Sequence, residues 1–223
     1  NSLVCWGIEV YGTEEQKQKY LTKLATGEWI GAFCLSEPEA GSDATSQRTT
    51  AEDMGDHYLL NGTKNWITNG SCSRIHLVIA QTDPEKGHRG INVFIVDKQW
   101  DGVVIGAKEE KLGIRSSDTH TIMYNDVKVP KENRIGEDGF GFKFAMKVLS
   151  GGRIGIAAQA LGIAAGAYEL SVKYAQERVA FGKPISKHQA ISFKLADMAT
   201  DIQAARMLVY NAARLKDEGK DYN

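Results

Sequence analysis

Three segments hold the residue types from which a ligand site is built. The first is Phe33-Cys34-Leu35-Ser36-Glu37-Pro38-Glu39-Ala40-Gly41-Ser42-Asp43. Hydroxyls, acids, a proline and a glycine meet there just where strand texture begins. Turn amides and hydroxyls in such a stretch can converge on an electron-rich ligand, although a polar loop closing a β-structure has the same composition. The second, Asn65-Trp66-Ile67-Thr68-Asn69-Gly70, joins an aromatic ring, β-branched residues and a turn signal, and reads equally well as a strand end. The third is Glu177-Arg178-Val179-Ala180-Phe181-Gly182-Lys183-Pro184, followed by Ser186-Lys187-His188-Gln189. Arginine closes one helical pattern and a capping serine opens the next. That junction suits a phosphate met by a guanidinium fork and free amides, or the arginine simply offsets a helix C-terminus.

Other chemistries are excluded by pattern. No G-x-G-x-x-G follows a strand, and neither G-x-x-x-x-G-K-[ST] nor G-x-S-x-G occurs, so Rossmann, P-loop and nucleophile-elbow readings fall away. The histidines, His57, His76, His88, His120 and His188, lack ligand spacing, and no metal site is expected. With 27 Lys and Arg against 28 Asp and Glu there is no overall field to draw in nucleic acid. Cys5, Cys34 and Cys72 share no C-x-x-C spacing and fit free thiols in a reducing compartment. No continuous run of about 18 apolar residues marks a membrane span. The Asn-Gly pairs at Asn61 and Asn69 read as left-handed turns rather than glycosylation sites.

Three textures must position these segments. Thr13 to Thr26 opens with a capping residue and two acids and reads as a short helix ending at Gly27. From about Ile30 to Pro130 short β-rich runs follow one another, at 57–60, 76–82, 91–97, 102–106 and 119–125. Their spacing predicts a small antiparallel barrel or sandwich. Beyond Gly141 comes one long helix to the Gly182-Lys183-Pro184 break. A second, capped by Ser186, carries Ile191, Leu195, Met198, Ile202, Ala205 and Val209 on one stripe. Both stripes are too broad for a barrel edge to cover, which predicts a helical bundle completed from outside these two helices.

Taken together the segments resemble the acyl-CoA dehydrogenase family, with its short-chain, butyryl-type branch the nearest likeness. Cys34 to Asp43 is similar to the family's first signature and Trp66-Ile67-Thr68-Asn69-Gly70 to its flavin-contacting strand. Lys111 to Ser117, Asp126 to Pro130, Gly152 to Ala157 and Arg178 to Gly182 follow in family order. The resemblance implies an α+β fold. Residues 1–29 end an N-terminal helical domain, 30–135 form a middle antiparallel β-barrel, and 136–223 begin a C-terminal four-helix bundle. It implies FAD, an acyl-CoA substrate, electron-transfer flavoprotein as acceptor, and a homotetramer, with no nucleic acid or membrane partner.

Carried over by position, Phe33, Leu35, Ser36 and Ser42 line the flavin, and Trp66, Ile67 and Thr68 flank its ring. Arg178, Phe181 and Gln189 hold the pyrophosphate side, in this family across a subunit interface. Ser42 also reaches the acyl-CoA, and Ser150, Gly151, Gly152 and Arg153 correspond to the CoA-contacting turn, where Ser150 replaces the usual aspartate. Some relatives carry the catalytic glutamate immediately before the Arg of the G-R motif; here that position is Gly152. The base is therefore expected beyond Asn223, and Glu37 and Glu39 are expected to be structural. The chain opens at Asn1 without an initiator methionine or leader and reads as an excised fragment. A bacterial cytoplasm is expected rather than a mitochondrial matrix.

Overall fold

The computed structural model describes residues 1–222 and divides into two compact units, Asn1–Leu149 and Ser150 onward. In the first unit, helix α1 (Ser2–Tyr11) is followed by α2 (Glu14–Gln16), a wide turn over Lys17–Leu21 and α3 (Thr22–Ala25). The capping residue read at Thr13 is present as a full capping box. The Thr13 hydroxyl accepts from the Gln16 amide at 3.2 Å, and the Gln16 side chain accepts from the Thr13 amide at 3.0 Å.

The strands are β1 (Gly31–Cys34), β2 (Thr50–Asp53), β3 (His57–Thr68), β4 (Ile75–Gln81), β5 (Ile91–Asp97), β6 (Val103–Lys108) and β7 (Thr119–Pro130). They form one seven-stranded sheet in the order β1-β4-β2-β3-β7-β6, with β5 also on β4. The expected uniformly antiparallel barrel is corrected on two counts. β1 runs parallel to β4, pairing Gly31 with Ile75 and Cys34 with Val78, and β2 meets β4 in parallel at Thr50 and Gln81. The sheet is also open: among the described residues no ladder joins β6 to β1 or β5. The α+β class stands.

β4 explains the arrangement. Every residue of Ile75–Gln81 is buried, the pattern of a strand covered on both faces. Ile75, Leu77 and Ile79 join Val4, Ile8, Leu24 and Phe144 in one core under the helices. Val78 and Ala80 enter a second core inside the curled sheet with Leu60, Phe94, Ile122 and Val127. Strand alternation thus sends one strand into two cores.

A second correction concerns Asn61-Gly62. The chain does not turn there; β3 runs through it, with a register shift between Leu60 and Gly62 against β7. Gly62 sits at φ +148, and a Cβ there would lie 2.6 Å from the Thr49 Cα, so close approach of two backbones demands glycine. The left-handed turn read at Asn69 does form, at φ +66.

In the second unit α4 (Gly141–Glu177), which begins in the first, runs to a ribbon of β8 (Val179–Ala180) and β9 (Lys183–Pro184), and α5 (Gln189–Asp217) follows. Ser186 lies in a short 3₁₀ turn and is not the cap of α5, which begins after His188. Ile156, Ile163 and Leu170 are exposed at seven-residue spacing on α4, and Phe193, Met207 and Leu208 are exposed on α5. Of the stripe read from sequence on α5, Ile191, Leu195, Ile202, Ala205 and Val209 are half-buried and Met198 is exposed, so the uncovered apolar surface lies mainly at other positions. By length and composition α4 could also span a bilayer, with mean hydropathy 1.3 over its most apolar window. Core helices of soluble proteins have the same composition.

Candidate functional site

The first group of site residues gathers where β3 ends. Between Lys64 and Ile67 the β3–β7 register shifts, and Trp66 occupies the bulge at φ +60 with 61% of its surface exposed. A bulky aromatic at positive φ is costly, and an exposed one gains little burial in return, so the conformation is imposed by its surroundings. One imposed contact is visible. The Asn65 amide donates to the Ser36 carbonyl at 2.8 Å, laying the Ser36–Glu37 peptide along the end of β3. Phe33 and Leu35 pack half-buried against the helical core, Ser36 is half-buried, and Ser42 and Thr68 are exposed. The Ile67 side chain is buried in the sheet interior, its carbonyl accepts from the Gly70 amide at 3.2 Å, and the residue pairs with His120 of β7.

Beneath this loop lies a charged anchor. Lys64 is wholly buried, and its ammonium donates to Glu37 Oε1 at 2.6 Å, Leu35 O at 3.0 Å and Gln47 Oε1 at 3.1 Å. Glu37 also accepts from the Arg48 amide at 2.6 Å and the Thr49 amide at 3.2 Å. Burial by itself would raise the Glu37 carboxyl, but the adjacent Lys64 ammonium and these amides hold it below its ordinary value, so it stays ionised. Glu37 is thus fully engaged by Lys64 and the loop amides, and Glu39 makes an exposed ion pair with Arg48. Asp43 accepts from the Thr45 hydroxyl at 2.7 Å and the Ser46 hydroxyl at 2.5 Å, closing the tip of the loop.

Past Trp66 the turn is pinned by Asp118. Its carboxylate accepts from the Ser71 amide at 2.8 Å and the Ser71 hydroxyl at 2.9 Å, and meets His120 Nε2 at 2.9 Å. Partial burial would raise this carboxyl, yet the Ser71 and Cys72 donors and His120 lower it to about 2. Lys64, Gln47 and Asp118 were not singled out from sequence. The available signal for Lys64 was a charge placed at an inward position of a strand.

The second group lies in the second unit. Arg178 follows α4, is exposed and makes no ion pair among the described residues. Its carbonyl accepts from the Ile185 amide at 2.8 Å, closing the ribbon whose tip is Phe181, φ +53 and 96% exposed. Phe181 meets the His188 ring edge-on at 5.9 Å, and His188 Nε2 lies 3.0 Å from Ala180 O, which fixes the start of α5 where Gln189 is exposed. On α4, Ser150, Gly151 and Gly152 are half-buried and Arg153 is exposed. A Cβ on Gly151 would approach the Lys216 ammonium to 3.0 Å.

Three family models cover the chain in order: the acyl-CoA dehydrogenase N-terminal domain over residues 1–28, middle domain over 32–127 and C-terminal domain over 139–222. The chain belongs to the acyl-CoA dehydrogenase family. Among acyl-CoA dehydrogenases, the short-chain-specific enzyme of Megasphaera elsdenii is 53% identical over 99% of the chain. The solved structure of butyryl-CoA dehydrogenase from the same organism superposes with a TM-score of 0.95 at 52% identity, over 99% of this chain and 58% of that one. A subunit of the caffeyl-CoA reductase-Etf complex of Acetobacterium woodii, CarC, is 51% identical over 99% of the chain and 58% of its own length. The chain likewise spans 58% of the length of the M. elsdenii short-chain relative.

Proposed function

We propose that the chain is the flavin-binding part of an FAD-dependent dehydrogenase that converts short-chain acyl-CoA thioesters to trans-2-enoyl-CoA. The observation that carries this reading is Trp66, a strained and exposed indole at a strand bulge, tied through Asn65 to a loop rich in hydroxyls. A rigid aromatic face beside polar donors suits a flat, heteroatom-rich ring system.

The donor set present fits FAD. Trp66 offers an apolar face, and Phe33, Leu35, Ser36, Ser42, Ile67 and Thr68 are assigned to the flavin with it; the Asn65–Ser36 hydrogen bond supports the pairing of the two segments. Arg178, with Phe181 and Gln189 on the same ribbon and helix start, is assigned to the pyrophosphate of an FAD shared with a neighbouring subunit, for which its unpaired guanidinium is suited. When bound, FAD supplies the two-electron acceptor, and the residues here bind and orient it. Ser42, Ser150, Gly151, Gly152 and Arg153 are assigned to the acyl-CoA. Abstraction of an α-proton requires a carboxylate base and donors at the developing enolate; no residue of this chain is assigned as that base.

The domain division 1–29, 30–135 and 136–223, with the last segment starting a four-helix bundle, belongs to the same reading, as do a homotetramer, electron-transfer flavoprotein as acceptor and a bacterial cytoplasm. The exposed apolar residues Ile156, Ile163 and Leu170 on α4 and Phe193, Met207 and Leu208 on α5 support the bundle. The similarity to a subunit of an Etf complex supports the acceptor.

The test is butyryl-CoA-dependent reduction of electron-transfer flavoprotein or an artificial dye by the protein containing this chain, with flavin absorbance recorded on the same sample. Absence of bound flavin after reconstitution with FAD refutes the assignment. The caffeyl-CoA reductase relative favours a second reading, an enzyme of aryl-acyl preference, and a faster rate with an aryl-acyl-CoA than with butyryl-CoA would select it.

A further inference from the structure

The Lys64–Glu37 pair is set apart by its cost. Both side chains are taken out of water, and such a pair is often replaceable by apolar residues without loss of stability. Stability alone is thus a weak account of its presence. Its connections are specific. Through Lys64 it holds the Leu35 carbonyl, through Glu37 it holds the Arg48 and Thr49 amides at the far end of the same loop, and Gln47 completes the ammonium's shell. Lys64 lies immediately before the bulge that forces Trp66 to positive φ, and the intervening Asn65 amide reaches the Ser36 carbonyl. One ammonium therefore ties both ends of the 35–49 loop to the strained end of β3.

We infer that Lys64 and Glu37 are positioning residues, which hold the Leu35–Ser36 peptide in register with Trp66 so that the ligand surface exists before the ligand arrives. This rests on the flavin-binding reading for its consequence, though not for its geometry. A displacement of an ångström in a preorganised site is worth one to two orders of magnitude in function.

The test compares the protein with its Lys64→Met, Glu37→Gln and doubly substituted Glu37→Leu, Lys64→Met variants. Each single change strands a buried polar partner and is expected to lower the melting temperature. The double change removes both charges and is expected to recover part of that loss, the remainder being due to the Leu35 carbonyl, Gln47 and the Arg48 and Thr49 amides, which lose their partners. FAD affinity, read by flavin fluorescence, is expected to stay weakened by roughly tenfold or more in the double variant. Amide hydrogen exchange is expected to stay accelerated in residues 35–49 and 65–68 while β4 and β5 remain protected. A double variant with native melting, native FAD affinity and native exchange in those segments overturns the inference. If the unsubstituted protein takes up no FAD, the functional reading fails by itself. The exchange comparison then decides the positioning role, and unchanged exchange in the double variant refutes it.

Discussion

His76 Nδ1 lies 3.0 Å from the Tyr124 hydroxyl, with both residues sealed inside the sheet and Ser73 Oγ 3.1 Å from the other ring nitrogen. Burial, with a smaller contribution from Lys98, lowers His76 to about 4 from 6.5. The folded state thus refuses a proton that the unfolded chain accepts below pH 6.5. Stability is full above that pH and falls as the solution is acidified toward 4. Integrated over this window the loss is about 3 kcal/mol. Urea unfolding between pH 7 and 4.5 measures it, and His76→Gln should flatten that part of the curve.

A second acid limb belongs to Asp118. Its carboxyl titrates at about 2 when folded and near 3.8 when unfolded. Its contribution is therefore present above 3.8 and disappears as the pH falls toward 2, below the histidine window. At neutral pH Asp118→Asn should cost about 1–3 kcal/mol, because the Ser71 and Cys72 donors lose a charged acceptor. The acid limb should vanish with it.

Gly62→Ala should destabilise by about 2 kcal/mol or more, since the new methyl meets Thr49 backbone and the residue sits at φ +148. Thr49→Ala should not rescue it, because the Thr49 Cα remains in place. Thermal unfolding of the single and double variants checks both statements.

Trp66→Gly separates folding from binding. Glycine accepts φ +60 freely and the exposed indole contributes little burial, so stability should change by no more than about 1 kcal/mol. FAD affinity should fall markedly in the same protein. A large drop in melting temperature would mean that the indole serves the fold rather than the ligand.

Much of this architecture is written locally. The Thr13 capping box, the apolar runs of β4 and β5 and the long apolar patterns of α4 and α5 depend on neighbours within a few residues, and they appear where the sequence places them. The failures are non-local. Parallel pairing of Gly31 with Ile75 leaves no mark in either segment. At Asn61-Gly62 a turn signal is overruled by Thr49, whose backbone demands a bulge instead. At helix α1 the Asn1 side chain leaves the cap for longer-range partners: it accepts from the Gly31 amide at 2.6 Å and donates to Leu24 O at 2.9 Å. In the site, Ser36 and Trp66 stand out by residue type, whereas the Lys64 anchor depends on a loop that returns from Gln47.

The double burial of β4 also governs how the first unit comes apart. The core under the helices and the core inside the sheet share this strand as a common wall, so neither can be opened while the other stays intact. Residues 1–149 should therefore melt as one cooperative block, and the amides of Leu77, Val78 and Ile79 should exchange only through its global unfolding.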